Sequence, residues 1–188
     1  MDSVKDRKIP PPEDRFKMTL LSLSNIMLRE IEKKRARGEK TIAKETLMFG
    51  LEMIKATKSD VIIGGFLTRS FDVENGKKRD LWDRVLEKDR DFFMQKSETL
   101  FGELSSGIVE GFKDLIRQGD VDEKLMKTIW DHLSAMVKMS ISYVHLSRKP
   151  QITSTDNGFK VDYTIDYRKE IDLHNEAKKW NFNLAEAK

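Results

Sequence analysis

The sequence predicts a mainly α fold: a compact helical bundle of about six helices, with an extended N-terminal arm and a C-terminal β-hairpin/extended arm. Three observations carry this reading. Apolar residues recur three and four apart through most of residues 13–149, which is the period of one helix face. Glycine, asparagine or a capping residue punctuates the gaps between those runs. After Pro150 the pattern changes to strict alternation, the period of a strand. The chain therefore divides into an arm (1–12), a bundle (13–149) and a second arm (150–188).

Residues 1–12 are mostly polar and end in Ile9-Pro10-Pro11-Pro12. Consecutive prolines favour the extended polyproline II conformation. The first helix is expected over 13–37, with Pro12, Glu13 and Asp14 suited to its start and Gly38 to its C-terminal cap. Leu20, Leu21, Leu23, Met27, Leu28 and Ile31 supply its apolar side. Its basic end continues to residue 44 and sets seven cations against Glu30, Glu32 and Glu39. Such a cluster suits a helix C-terminus, and it is also the candidate polyanion contact, through Lys33, Lys34, Arg35 and Arg37.

A second helix follows over 41–58, with Thr41 as N-cap and Leu47, Met48, Leu51 and Ile54 on the buried side. Ser59 or Asp60 then caps a short third helix over 61–71. Its Gly64-Gly65 pair lacks the spacing of a phosphate loop and reads as a close helix contact or a kink. Asn75-Gly76 marks a turn. A fourth helix is expected over 79–101, ending at Gly102, with Leu81, Trp82, Val85, Leu86, Asp89, Phe92, Phe93 and Leu100 at helical spacing. Ser105 or Ser106 caps a fifth helix over 108–118, and Gly119 ends it.

The sixth helix, 121–149, is the longest uninterrupted amphipathic run. Leu125, Ile129, Leu133, Met136, Val137, Ser140 and Val144 make one wide face, which Trp130 and Ile141 extend. A very short connection predicts that the fifth and sixth helices form an antiparallel hairpin. Trp82, Phe92, Phe112, Leu133 and Val137 are the expected core. Beyond Pro150, Asp156-Asn157-Gly158 between alternating runs signals a hairpin, with Phe159, Val161, Tyr163, Ile165 and Tyr167 on one face. Residues 168–188 are polar, with Ile171, Leu173, Trp180, Phe182 and Leu184 as spaced anchors.

Composition narrows the function classes. Charged residues make up 36% of the chain, yet Lys+Arg 35 against Asp+Glu 32 leaves only +3, which suits solvated helix faces better than a nucleic-acid footprint. The absence of cysteine excludes thiolate chemistry, disulfides and cysteine-bearing metal sites. No apolar run approaches a membrane span, and the first residues lack a signal-peptide pattern, so a soluble intracellular protein is expected.

No catalytic signature is present. His132 and His145 do not share a helix face, and His174 lies in the tail, so no paired-histidine metal spacing exists. Glu87 and Asp91, four apart, read as solvated surface beside Lys88 and Arg84. Neither a metal, a cofactor nor catalytic residues are expected, and the chain does not read as an enzyme.

Two stretches, Leu81-Trp82-Asp-Arg-Val85-Leu-Glu-Lys88-Asp89-Arg-Asp-Phe92-Phe93 leading to Leu100-Phe101-Gly102, and Ile129-Trp130 followed by Val137-Lys138-Met-Ser140-Ile141-Ser-Tyr143-Val-His145, resemble small helical proteins of nucleocytoplasmic large DNA viruses. The resemblance covers residues 80–148. It implies a structural role as a minor capsid component of a virion, and it transfers no catalytic residue.

The function expected is that of a non-enzymatic assembly protein whose arms tie neighbouring protein subunits together. The candidate partner-binding residues are Ile9, Pro10, Pro11, Pro12, Tyr163, Tyr167, Trp180, Phe182 and Leu184. Arms order only on docking, which is how small proteins bridge neighbours. The alternative is a nucleic-acid-binding or regulatory helical protein that uses the basic stretch 33–44.

Overall fold

A computed structural model of the chain describes residues 9–72, 77–102, 106–117, 122–146, 151–155, 158–162 and 172–187. Helix α1 (Pro12–Ala36) starts where proline's fixed φ and the acidic Glu13 and Asp14 favour a helix N-terminus. Phe16, Leu20, Leu23, Met27 and Ile31 form its buried stripe. Lys33, Lys34 and Arg35 fill its last turn, and Gly38 follows at φ 76°, a conformation glycine adopts without strain.

Helix α2 (Lys44–Ala56) runs back along α1. Lys17 near the start of α1 donates to the carbonyls of Lys55 (2.8 Å) and Thr57 (2.7 Å), satisfying the open end of α2. At the other end Lys44 pairs with Glu32 at 2.5 Å. Ala43, not Thr41, holds the N-cap position, because the Asp114 carboxylate accepts the Ile42 N–H at 3.0 Å and draws the connection across the bundle. Helix α3 (Ser59–Ser70) follows with Lys58 at its N-cap position, so neither Ser59 nor Asp60 fills that place.

Strand β1 (Phe71–Asp72) pairs antiparallel with β2 (Lys77–Lys78), Phe71 opposite Lys78. The single helix expected over 79–101 is instead three: α4 (Leu81–Leu86), α5 (Arg90–Lys96) and α6 (Glu98–Phe101). The first break has a visible cause. Lys88 sits at φ 55°, outside the helical region, and the Asp89 carboxylate accepts the Phe92 N–H at 2.9 Å to start α5 afresh. The Arg84 guanidinium holds the same carboxylate at 2.8 Å. At the second break the Ser97 hydroxyl donates to the Phe93 carbonyl. Gly102 then ends α6 at φ 61°, and a Cβ there would lie 2.5 Å from Nη1 of Arg69.

Helix α7 (Ser106–Arg117) packs on α2, α1 and α5. Helix α8 (Glu123–His145) packs chiefly along α1, with α4 beside it. The antiparallel hairpin expected of these two helices is therefore corrected: each has its main partner elsewhere. The reason lies in Gly107. A Cβ at that position would sit 2.4 Å from the Thr46 carbonyl oxygen, so α7 lies against the backbone of α2 itself. A short connecting segment sets proximity in the chain, but the closest steric fit sets the packing partner.

Strand β3 (Gln151–Thr155) pairs antiparallel with β4 (Gly158–Asp162), Ile152 opposite Val161 and Thr155 opposite Gly158. β3 lies beside α3. Helix α9 (Leu173–Lys179), N-capped by Asp172 through Asn175 N (3.2 Å), packs on α8, and a 3-10 turn follows at Leu184–Glu186. The fold is thus mainly helical. Among the described residues there are nine α-helices where about six were expected, chiefly because one predicted helix is broken into three.

One continuous apolar core runs through the bundle, with Leu23, Met27, Ile63, Leu67, Phe112 and Val137 fully enclosed. Of the five residues expected at its centre, Trp82, Phe112, Leu133 and Val137 are buried and Phe92 is not. Phe93 takes that place. The break at Lys88 rotates the second half of the segment, so the helical phase read from Trp82 no longer holds. Trp82 donates its indole N–H to the Ser70 hydroxyl at 3.0 Å and meets Phe71 edge-on at 5.1 Å.

Candidate functional site

The basic stretch is built so that much of its charge is already matched. Lys33 pairs with Glu30 at 2.6 Å, Arg37 with Glu39 at 2.7 Å and Lys44 with Glu32 at 2.5 Å. Lys34 is buried, not displayed. Its Nζ donates to the Asp114 carbonyl at 3.0 Å, and burial pushes its pKa below the usual lysine value against the pull of Glu39, Asp114 and Glu30. Lys34 is thereby corrected as a polyanion contact. Of the four candidates, Arg35 is exposed, while Lys33 and Arg37 are exposed but paired with carboxylates.

The histidines have ordinary environments. His132 lies between the Thr128 carbonyl, 2.7 Å from Nδ1, and the Ser22 hydroxyl, 3.0 Å from Nε2. A single tautomer satisfies both, with Nδ1 donating and Nε2 accepting. His145 and His174 are exposed on separate helices. Glu87 falls at the end of α4 and Asp91 inside α5, so the helix break separates them, and Glu87 lies 3.6 Å from Arg84. Among the described residues no group of three or more metal-ligating side chains converges. No described helix is long and apolar enough to cross a membrane.

The two arms fare differently. At the N-terminal end Ile9 and Pro10 are exposed and Pro11 is half-buried. Pro12 is buried as the first residue of α1, which removes it from the arm. At the other end the anchors fold back onto the chain's own body. Trp180 is 4% exposed and belongs to the core, while Phe182 and Leu184 pack partly buried against it. Phe182 N donates to the Ala177 carbonyl at 2.8 Å, which turns the chain after α9 back toward the bundle. Trp180, Phe182 and Leu184 are therefore corrected as free partner anchors. The sequence looked too polar to fold alone because its burial depends on charged partners distant in the chain. Lys78 meets Glu176 at 2.7 Å and Asp83 at 3.1 Å, and Lys179 lies 3.4 Å from Asp83. Tyr163 and Tyr167 lie outside the described residues.

The most conspicuous surface is one that spacing along the chain does not single out. On α2, Met48, Phe49 and Met53 are 46%, 68% and 40% exposed, and they share one face with Glu45, Glu52 and Ala56. Met48 was expected inside. The apolar positions of α2 run nearly all round it, and Leu47, Gly50, Leu51 and Ile54 suffice to cover α1 and α7. A helix that is apolar on its solvent side as well as its core side has more apolar surface than its own fold uses.

Taken together, the geometry defines a helical-bundle protein with a docked C-terminal segment and one exposed apolar helix face. Comparison with protein-family models, with curated proteins and with solved structures finds no match.

Proposed function

We propose that this chain is a non-enzymatic assembly protein that associates through the outer face of α2. The observation that carries the reading is the exposure of Met48, Phe49 and Met53 side by side on a helix whose other side is fully packed. Isolated apolar residues on a surface need no explanation, but a grouped set marks a contact site.

The occupant that fits is a second copy of the chain. Glu45 stands in the first turn of α2 and Lys55 in the last. An antiparallel twofold pairing brings Glu45 of each helix toward Lys55 of the other, and it opposes the helix dipoles favourably. A 13-residue helix is about 20 Å long. That span sets the contact near the lower limit of stable interfaces, about 1,000 Å² in total. A subunit whose binding is completed by further contacts in a larger assembly needs no more. Ile9 and Pro10, exposed ahead of α1, are available for those contacts. The resemblance of residues 80–148 to large-DNA-virus proteins supports placing the assembly in a virion, as a minor component.

Sedimentation of the full chain tests the first step. The wild type is expected to shift from monomer to dimer with rising concentration, and Phe49→Glu to remain monomeric with unchanged helix content. Crosslinking a mixture of isotopically heavy and light protein should join Lys44 of one copy to Lys55 of the other. A wild type that stays monomeric up to about 1 mM, beyond which association is worth less than roughly 4 kcal/mol, overturns the reading.

A further inference from the structure

A cleft of about 360 Å³ opens where the end of α3 meets the break between α5 and α6. Arg69, Arg79 and Lys96 line it together with Asp80, Glu98 and the ring of Phe92. We infer that this cleft binds a small phosphate monoester, held by Arg69 in its wall and by Arg79 and Lys96 at its edges. The inference is independent of the α2 contact, which lies on a different helix.

Arg69 is the strongest reason. Its Nε donates to the Thr99 carbonyl and its Nη2 to the Leu100 carbonyl, each at 3.0 Å. These bonds fix the plane of the guanidinium and leave further N–H donors of its fork without a protein acceptor among the described residues. No described carboxylate stands within ion-pairing reach of Arg69. Burial moves its pKa down, to about 10. A half-buried cation with no counter-ion among the described residues is costly, and an anion bound in the cleft relieves that cost. Arginine also matches phosphate geometry with two parallel N–H···O bonds.

The charge balance agrees. Of the two carboxylates in the lining, Asp80 is held by Arg84 at 3.2 Å. That arginine also serves Asp89 at 2.8 Å, so among the described lining residues Glu98 and, in part, Asp80 offset Arg69, Arg79 and Lys96. The described lining thus carries a surplus of about one positive charge, which attracts the roughly −1.5 to −2 of a phosphate monoester at neutral pH. The aromatic wall limits the rest of the ligand. Cations already stand near the Phe92 ring, Arg84 at 5.4 Å and Lys96 at 5.8 Å from its centroid, so the ring offers no free platform for a nucleobase. The volume is at the small end for ligand clefts. A phosphate on a short polar carbon chain fits these limits, and a nucleotide gains nothing from its base.

Calorimetric titration of the full-length protein with inorganic phosphate, glycerol 3-phosphate and AMP tests the site. Saturable binding is expected, with glycerol 3-phosphate at least as tight as AMP. Arg79 and Lys96 are exposed, so Arg79→Ala and Lys96→Ala should fold normally and each weaken binding by roughly threefold. Glu98→Gln removes the opposing charge and should tighten it by a similar factor. Arg69→Met should abolish binding, and thermal denaturation will show whether that variant still folds. No binding at about 10 mM ligand overturns the inference. Binding that survives the Arg79→Ala/Lys96→Ala double variant also overturns it. AMP binding much tighter than glycerol 3-phosphate would equally overturn it, since a base site would then exist.

Discussion

Lys78 and Glu176 stand 98 positions apart in the chain, and their side chains meet at 2.7 Å. The pair is mostly out of water, with Asp83 and Lys179 completing a four-residue charge cluster. It fastens α9 against β2 and α4, and it lets Trp180 reach the core. A buried ion pair adds little over an apolar substitute, but removing one member strands the other.

Glu176→Gln should therefore cost about 2–4 kcal/mol, and Trp180→Ala about 3–5 kcal/mol, in urea denaturation of the full chain. Truncation at residue 171 should lower the melting temperature outright. Unchanged stability in all three would mean that the C-terminal segment is a free arm.

Phe92 and Phe93 are neighbours with ring centroids 5.0 Å apart, yet only Phe93 lies in the core. Phe93→Ala is expected to cost about 3–5 kcal/mol, and Phe92→Ala about 1 kcal/mol, by chemical denaturation. Equal losses would contradict the rotated phase after Lys88.

Gly107 admits no Cβ without displacing the α2 backbone, whereas a Cβ at Gly111 meets the mobile end of Leu47 at 3.3 Å. Gly107→Ala should thus destabilise by about 1–3 kcal/mol and Gly111→Ala by less. Thermal unfolding of the two variants distinguishes them.

Lys34 carries a pH dependence. Burial lowers its pKa in the folded state, so the unfolded chain binds more protons between that lowered value and 10.5. This residue's contribution to stability is lowest below the folded pKa and rises with pH until 10.5. Lys34→Met should remove that rise, which denaturation curves of both proteins across the alkaline range will show. A wild type and variant with parallel pH profiles would place the Lys34 amine in solvent.

Much of the architecture is legible without coordinates, because helix periodicity depends on neighbours three and four residues away. The stripe of α1, the long run of α8 and the burial of Trp82, Phe112, Leu133 and Val137 all follow from that local rule. What the tertiary structure alone decided depends on residues distant in the chain. The break at Lys88 is the exception, a local cap by Asp89 that interrupts a periodicity continuous from Arg79 to Phe101. Thr46 selected Gly107 as the contact of α7. Lys78 and Asp83 turned a polar tail into a docked helix. The exposed face of α2 and the cleft at Arg69 share that origin. Whether an apolar or cationic side chain is covered depends on which element lies opposite it, and packing geometry, not spacing along the chain, sets that partner.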